Sequence, residues 1–186
     1  MTQPDFEVGK AAGRLAGWRG GDGPAVVMLH GGPGLSEYMA GLVPELADSY
    51  ATVRYQQRGV EPSSLSGPFS VESQLGDLLT VLDGLDIEQA VILGHSWGGH
   101  LALHLLASHP ERVRAALVVD PLGAVADGGE ADLGRILNER AAPVAAARAK
   151  ELDDRSMRGE GTAEDALEGL ALVWPGYFAH PEQAPP

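Results

Sequence analysis

The sequence predicts an α/β fold: a mostly parallel sheet with helices on both faces, an N-terminal hairpin and a helical C-terminal part. Three observations carry this. Short apolar runs at residues 25–29, 52–55, 90–93 and 113–119 alternate with stretches of helical periodicity. Alternating β and α units build parallel sheets, because each crossover helix must cover a sheet face. Two of the runs end in glycine-rich turns, His30-Gly31-Gly32-Pro33-Gly34 and Gly94-His95-Ser96-Trp97-Gly98-Gly99. After Gly123 no β-rich run appears.

Taken in order, residues 6–19 read as an antiparallel hairpin: Phe6 and Val8 alternate, Ala11-Ala12-Gly13 turns, and Leu15 to Trp18 return. Residues 25–29 form a continuous apolar strand of the kind found inside a parallel sheet. Residues 38–46 suggest a helix bent or ended near Pro44. A short strand at 52–55 leads into a polar loop from Gln56 through Pro68, placed to overlie a site at the strand ends; Arg58 in it either meets a substrate carboxylate or braces the loop. Ser70 caps a helix whose apolar stripe is Val71, Leu75, Leu78, Leu79, Leu82 and Leu85. Residues 97–108 form a helix that buries Leu101, Leu105 and Leu106, and 113–119 form another buried strand ending in Asp120-Pro121. Beyond Gly123, Asp127-Gly128-Gly129 is a linker. One helix is expected through Leu133, Ile136, Leu137 and Val144, and a second through Ala166, Leu167, Leu170 and Val173. Trp174, Tyr177 and Phe178 either line an apolar pocket or pack as core. Two regions follow from this: residues 1–123 as the α/β core, and 124–186 as a helical lid with a proline-rich tail.

The chemistry concentrates at Ser96. Strand, tight turn and helix follow one another, with Gly94 and Gly98 keeping side chains away where the backbones approach. A serine at such a corner projects its Oγ, and the Trp97 N–H at the helix start points toward an oxyanion formed there. Pro33 has no N–H, so the donor in the upstream loop is a glycine, and Gly32 is the candidate. His30 reads as a structural hydrogen-bonding residue. His100 and His104 lie on the helix after Ser96, and position alone does not aim either ring at the serine.

The formal charge is −13 over 186 residues, with an isoelectric point near 4.7. This argues against nucleic acid or an anionic membrane as partner. Cysteine is absent, which excludes disulfides, thiol nucleophiles and thiolate metal sites. No basic-then-apolar leader opens the sequence and no apolar run reaches a membrane span, so the expectation is a soluble, cytoplasmic protein.

On His30-Gly31-Gly32-Pro33-Gly34, Gln57-Arg58-Gly59 and Gly94-His95-Ser96-Trp97-Gly98-Gly99, the sequence resembles the α/β-hydrolase fold superfamily, and within it the proline iminopeptidase-like branch. The resemblance covers about residues 6–180. It implies a serine hydrolase in which Ser96 forms an acyl-enzyme on a small-molecule or short-peptide substrate. The Gly32 and Trp97 amides stabilise the oxyanion, and neither cofactor nor metal takes part. Serine at the corner sets the chain apart from relatives that need aspartate there, such as epoxide hydrolases. In the branch, lid glutamates read a substrate's free amine. Here Val173-Trp174-Pro175-Gly176-Tyr177 has no glutamate, so an esterase-like acyl hydrolase is as compatible as an aminopeptidase. In the family the acid and histidine follow two strands beyond the lid, and no such strands are read here, so the resemblance leads to the expectation of a truncated or partial hydrolase. Two alternatives stay open. One is a compact triad of Ser96, Asp120 and His180, which stand in the right order. The other is a binding module without turnover, or a chain needing a partner to complete it.

Overall fold

A computed structural model describes residues 3–32, 34–157 and 160–185. They divide into two compact units, residues 1–127 and 128–186.

The first unit opens with the predicted hairpin, β1 (Phe6–Val8) and β2 (Leu15–Gly20), paired antiparallel. Strand β3 (Ala25–Leu29) follows, then a 3-10 turn at Met39–Leu42 and a short helix α1 (Val43–Leu46). Next come β4 (Ala51–Tyr55), α2 (Val71–Gly84), β5 (Ala90–His95), α3 (Trp97–Ser108) and β6 (Val113–Val119). The sheet order is β1-β2-β4-β3-β5-β6. β4, β3, β5 and β6 run parallel, so the turns after these strands gather at one edge of the sheet, where ligands bind in such folds.

Pleating splits the apolar residues of the central strands between two faces. Val27, Leu29 and Ile92 pack with Leu78, Val81 and Leu82 of α2 and Leu101 and Leu105 of α3. Val26, Met28, Val91 and Leu93 pack on the other face with Met39, Val43 and Leu46. Helical segments therefore cover both faces, as predicted.

The structure corrects four details. Pro44 does not end a helix; it lies in the first turn of α1, preceded by the 3-10 turn. At that position a helix has no intrahelical partner for an N–H, so proline costs nothing. Leu106 is 41% exposed, on the face of α3 turned from the sheet. β6 is not buried: it is the last strand of the sheet, and Leu117 and Val119 are 55% and 43% exposed. The polar loop after β4 is not all surface: residues 65–68 are exposed, but Gln56, Gln57 and Ser63 are fully buried, with Ser63 Oγ accepting the Ala16 N–H at 3.0 Å.

The second unit holds α4 (Gly129–Arg140), α5 (Pro143–Met157) and α6 (Ala163–Val173), then 3-10 turns at Trp174–Tyr177 and Pro181–Gln183. The expected helix through Leu133 and Val144 is thus two. Ala141, just past the end of α4, is extended (φ −74°, ψ 153°), and Pro143 opens α5; proline disfavours helical backbone in the residue before it, Ala142, so one helix does not run through both. α6 starts with a full capping box: Thr162 Oγ1 accepts the Asp165 N–H at 3.1 Å, and an Asp165 carboxylate oxygen accepts the Thr162 N–H at 3.0 Å. Trp174 packs on Tyr177 and Phe178, with ring centroids 5.9 and 5.0 Å apart. They do not line the cavity of about 380 Å³ in this unit, whose apolar wall includes Leu137, Leu152 and Val173.

Candidate active site

Ser96 forms the corner between β5 and α3. Its backbone is at φ 53°, ψ −117°, a region that costs a non-glycine residue about 1–3 kcal/mol. Three backbone hydrogen bonds hold it there. The Ser96 N–H donates to Val119 O at 2.9 Å, and Ser96 O accepts from His100 N at 3.0 Å and Leu122 N at 3.4 Å. The first and last of these tie the corner to the turn after β6, on either side of Asp120. The two flanking glycines are obligatory by contact. A Cβ on Gly94 would lie 2.3 Å from Gly98 O, and one on Gly98 would lie 2.0 Å from Leu29 O. The corner thus closes on itself and on the end of β3.

The turn after β3 is built on His30, which is fully buried. Gln57 N–H donates to His30 Nε2 at 3.3 Å, and Gln57 Nε2 donates to His30 O at 2.8 Å. His30 Nδ1 lies 3.0 Å from Gly31 O. With Nε2 accepting, the proton sits on Nδ1 and the ring is neutral; burial pushes its pKa below the ordinary value. His30 is therefore a structural brace, as its position suggested.

Gly31 touches the corner: a Cβ on it would sit 3.0 Å from Ser96 Cβ. Its N–H donates to the Tyr38 hydroxyl at 2.7 Å, and that hydroxyl hydrogen-bonds with His95 Nδ1. Gly32 follows at φ 66°, where glycine carries no steric penalty. No described residue accepts a hydrogen bond from the Gly32 N–H, nor from Trp97 N–H at the first position of α3. Ser96 is partly exposed, and among the described residues no side chain hydrogen-bonds its Oγ.

Of the other candidates, Asp120 is exposed at φ 44° directly after β6. His180 belongs to the second unit, 71% exposed, with Nδ1 3.5 Å from Glu182 Oε1. His100 Nδ1 lies 3.1 Å from Gly123 O and its Nε2 lies 3.1 Å from His104 Nε2; His109 Nδ1 meets Ser108 Oγ at 2.9 Å at the far end of α3. Arg58 braces its loop: it forms a two-pronged pair with Asp77 of α2 and donates to Pro68 O at 3.1 Å. Among the described residues, no three His, Asp or Glu side chains gather as a metal site, and no helix is long and apolar enough to cross a membrane. Tyr38 was not singled out by the sequence. An aromatic residue after a glycine loop carries no periodic signal, and its partner His95 lies 57 residues away.

The family model for the alpha/beta hydrolase fold matches residues 24–182. The chain belongs to the alpha/beta hydrolase fold family. Two curated members are similar to it: cis-3-alkyl-4-alkyloxetan-2-one decarboxylase of Shewanella oneidensis, 29% identical over 105 residues, and epoxide hydrolase B of Mycobacterium tuberculosis, 36% identical over 94 residues. The matches cover 54% and 48% of this chain, and 33% and 26% of those relatives' lengths. Among solved structures, the enol-lactonase from Burkholderia xenovorans LB400 superimposes with a TM-score of 0.52 at 28% identity, over 55% of this chain and 42% of that one. The chain thus spans less than half the length of these α/β-hydrolase fold proteins.

Proposed function

We propose that this chain carries the nucleophile and oxyanion-binding part of a serine hydrolase acting on a small ester or amide. The observation that carries the reading is the strained Ser96 corner: among the described residues no side chain hydrogen-bonds its Oγ, and none accepts from the N–H groups of Trp97, next in the chain, and Gly32, next to the Gly31 that touches the corner. In the proposed reaction Ser96 Oγ bonds to the substrate's carbonyl carbon while a general base takes its proton. The carbonyl oxygen gains negative charge, which the Gly32 and Trp97 N–H groups stabilise. Collapse expels the protonated alcohol or amine and leaves an acyl-enzyme. Water then adds to the acyl carbon and releases the acid and Ser96. The chain's own candidates for acid and base are Asp120 and His180, in the family's order of serine, acid, histidine. No cofactor is needed for these steps. The substrate is a small molecule or a short peptide. The relatives include an enol-lactonase, whose name supports carbonyl chemistry.

One observation favours a second reading, a binding module without turnover: no described side chain hydrogen-bonds Ser96 Oγ, and a serine without a base is a weak nucleophile. Intact mass after incubation with a fluorophosphonate separates the two. Covalent labelling of the parent chain, abolished in Ser96→Ala, is expected for the hydrolase. A folded parent that stays unlabelled overturns it and leaves the binding module.

A further inference from the structure

Tyr38 is oriented in an unusual way. A surface tyrosine ordinarily packs its ring and leaves the hydroxyl in water. Here the residue is 47% exposed, yet the hydroxyl is turned inward, onto Gly31 N–H and His95 Nδ1. Desolvation raises the hydroxyl's pKa above its ordinary value, so it stays protonated. The ring stands edge-on to both His30 and His95, with centroids 6.0 and 5.8 Å apart. It thereby spans the gap between the turn after β3 and the turn after β5.

The segment that carries Tyr38 is itself held on both sides. Glu37 N–H donates to Gln56 Oε1 at 2.9 Å. The Glu37 carboxylate accepts the Met39 N–H and pairs with Arg54 of β4. That carboxylate is only 3% exposed, and Arg54 lies 4.9 Å above the Trp18 ring. Burying an acid is a large commitment, and together with Met39, which packs in the core, it anchors the short stretch between the glycine loop and the 3-10 turn. It fixes where the Tyr38 hydroxyl can reach.

We propose that Tyr38 is a positioning residue of this site: its hydroxyl accepts the Gly31 N–H and donates to His95 Nδ1, tying the glycine loop to the serine corner and leaving Gly32 N–H as the loop's donor to the reacting oxygen. This rests on the serine hydrolase reading above. The stoichiometry of hydrogens is consistent: a phenol has one O–H to give and lone pairs to receive. Gly31 N–H fills the acceptor role, and His95 Nδ1 takes the hydrogen when its proton is on Nε2. Gly31 N–H is thereby occupied and is removed as the loop's oxyanion donor, which leaves that part open to Gly32. Without the hydroxyl, the Gly31 N–H loses its acceptor and the loop is free to rotate.

The test compares the full chain with Tyr38→Phe and Ser96→Ala, reading fluorophosphonate labelling at Ser96 as separate kinact and KI values beside the melting midpoint. Tyr38→Phe keeps the ring and removes only the oxygen. The expected result is a fall in kinact of roughly tenfold to a hundredfold, the size of effect that small misplacements of reacting groups produce. KI is expected to change by less than about twofold, because the reagent's bulk binds as before. A merely structural role would lower the midpoint and the labelled fraction while leaving kinact of the folded protein unchanged, and that result overturns the proposal. Equal labelling of parent and Tyr38→Phe overturns it too, with the serine hydrolase reading intact. A parent that never labels overturns both. Long-range proton–nitrogen spectra of the parent supply a readout that does not depend on the variant folding. His95 is expected as the Nε2–H tautomer, and a neutral His95 protonated on Nδ1 overturns the bridge.

Discussion

Gly98 is the residue on which the geometry of the corner turns. Its α-hydrogens face Leu29 O and His30 O, so the end of β3 and the start of α3 approach more closely than any side chain allows. Gly98→Ala places a Cβ 2.0 Å from a backbone oxygen, and neither backbone can yield without moving a strand or a helix. A loss of about 3 kcal/mol, the upper end of overpacking costs, is expected. Gly76 offers the contrast. It sits in α2 with open space around its Cβ position, and Gly76→Ala is expected to stabilise by about 0.5–1 kcal/mol. Urea unfolding of the two variants against the parent checks both signs. His30 carries a pH dependence. Its folded pKa lies below the ordinary 6.5 because burial disfavours the charged ring. Below about pH 6.5 the unfolded chain therefore binds a proton that the folded chain refuses, and stability falls as pH drops. Above 6.5 both states are neutral and this contribution is flat. Urea midpoints followed downward from neutral pH are expected to decline. In His30→Asn they should start lower and decline less, and an unchanged slope would remove His30 as the cause.

At the scale of elements, β6 is the exception in an otherwise well-covered sheet. It pairs with β5 from Val113 to Val119, with one register shift that skips Arg114, and ends the sheet with Leu117 and Val119 exposed. An apolar edge strand is a template for further pairing. Leu117→Lys is expected to reduce self-association of the chain at high concentration, measured by light scattering, with no loss of secondary structure. Unchanged association would show that this edge does not drive it. The same strand has a second duty, since Val119 O holds the Ser96 N–H. Val119 should therefore be left intact in such a test. α2 shows how one helix serves two ends: Leu78 and Leu82 supply core, while Asp77, on the same buried stripe, anchors Arg58 of the loop after β4.

Across the whole molecule, what was legible in the sequence was what is local along the chain. The Gly94-to-Gly99 motif announces strand, corner and helix within ten residues, and the backbone at Ser96 agrees. The hairpin, the stripe of α2 and the parallel order were readable because apolar periodicity and crossover length are properties of consecutive residues. The strand at 113–119 reads as buried when taken as an apolar run by itself, yet the lack of any β-rich run after Gly123 makes it an unpaired edge, and the sheet order places it there. The burial of Gln56, Gln57 and Ser63 was hidden. Polar residues read as solvent-facing until the groups they hydrogen-bond, here His30, Leu35 O and Ala16 N–H, are brought in from other segments. The break between α4 and α5 was written in Pro143 but outweighed by the apolar spacing across it. From sequence came the fold family, the serine corner and its glycine loop, for each is encoded in short-range steric demands. From three dimensions came the Tyr38 bridge, the partners that hold His30, and the burial of Gln56, Gln57 and Ser63. Those depend on contacts between residues tens of positions apart, and chain-local patterns carry no information about which distant groups will meet.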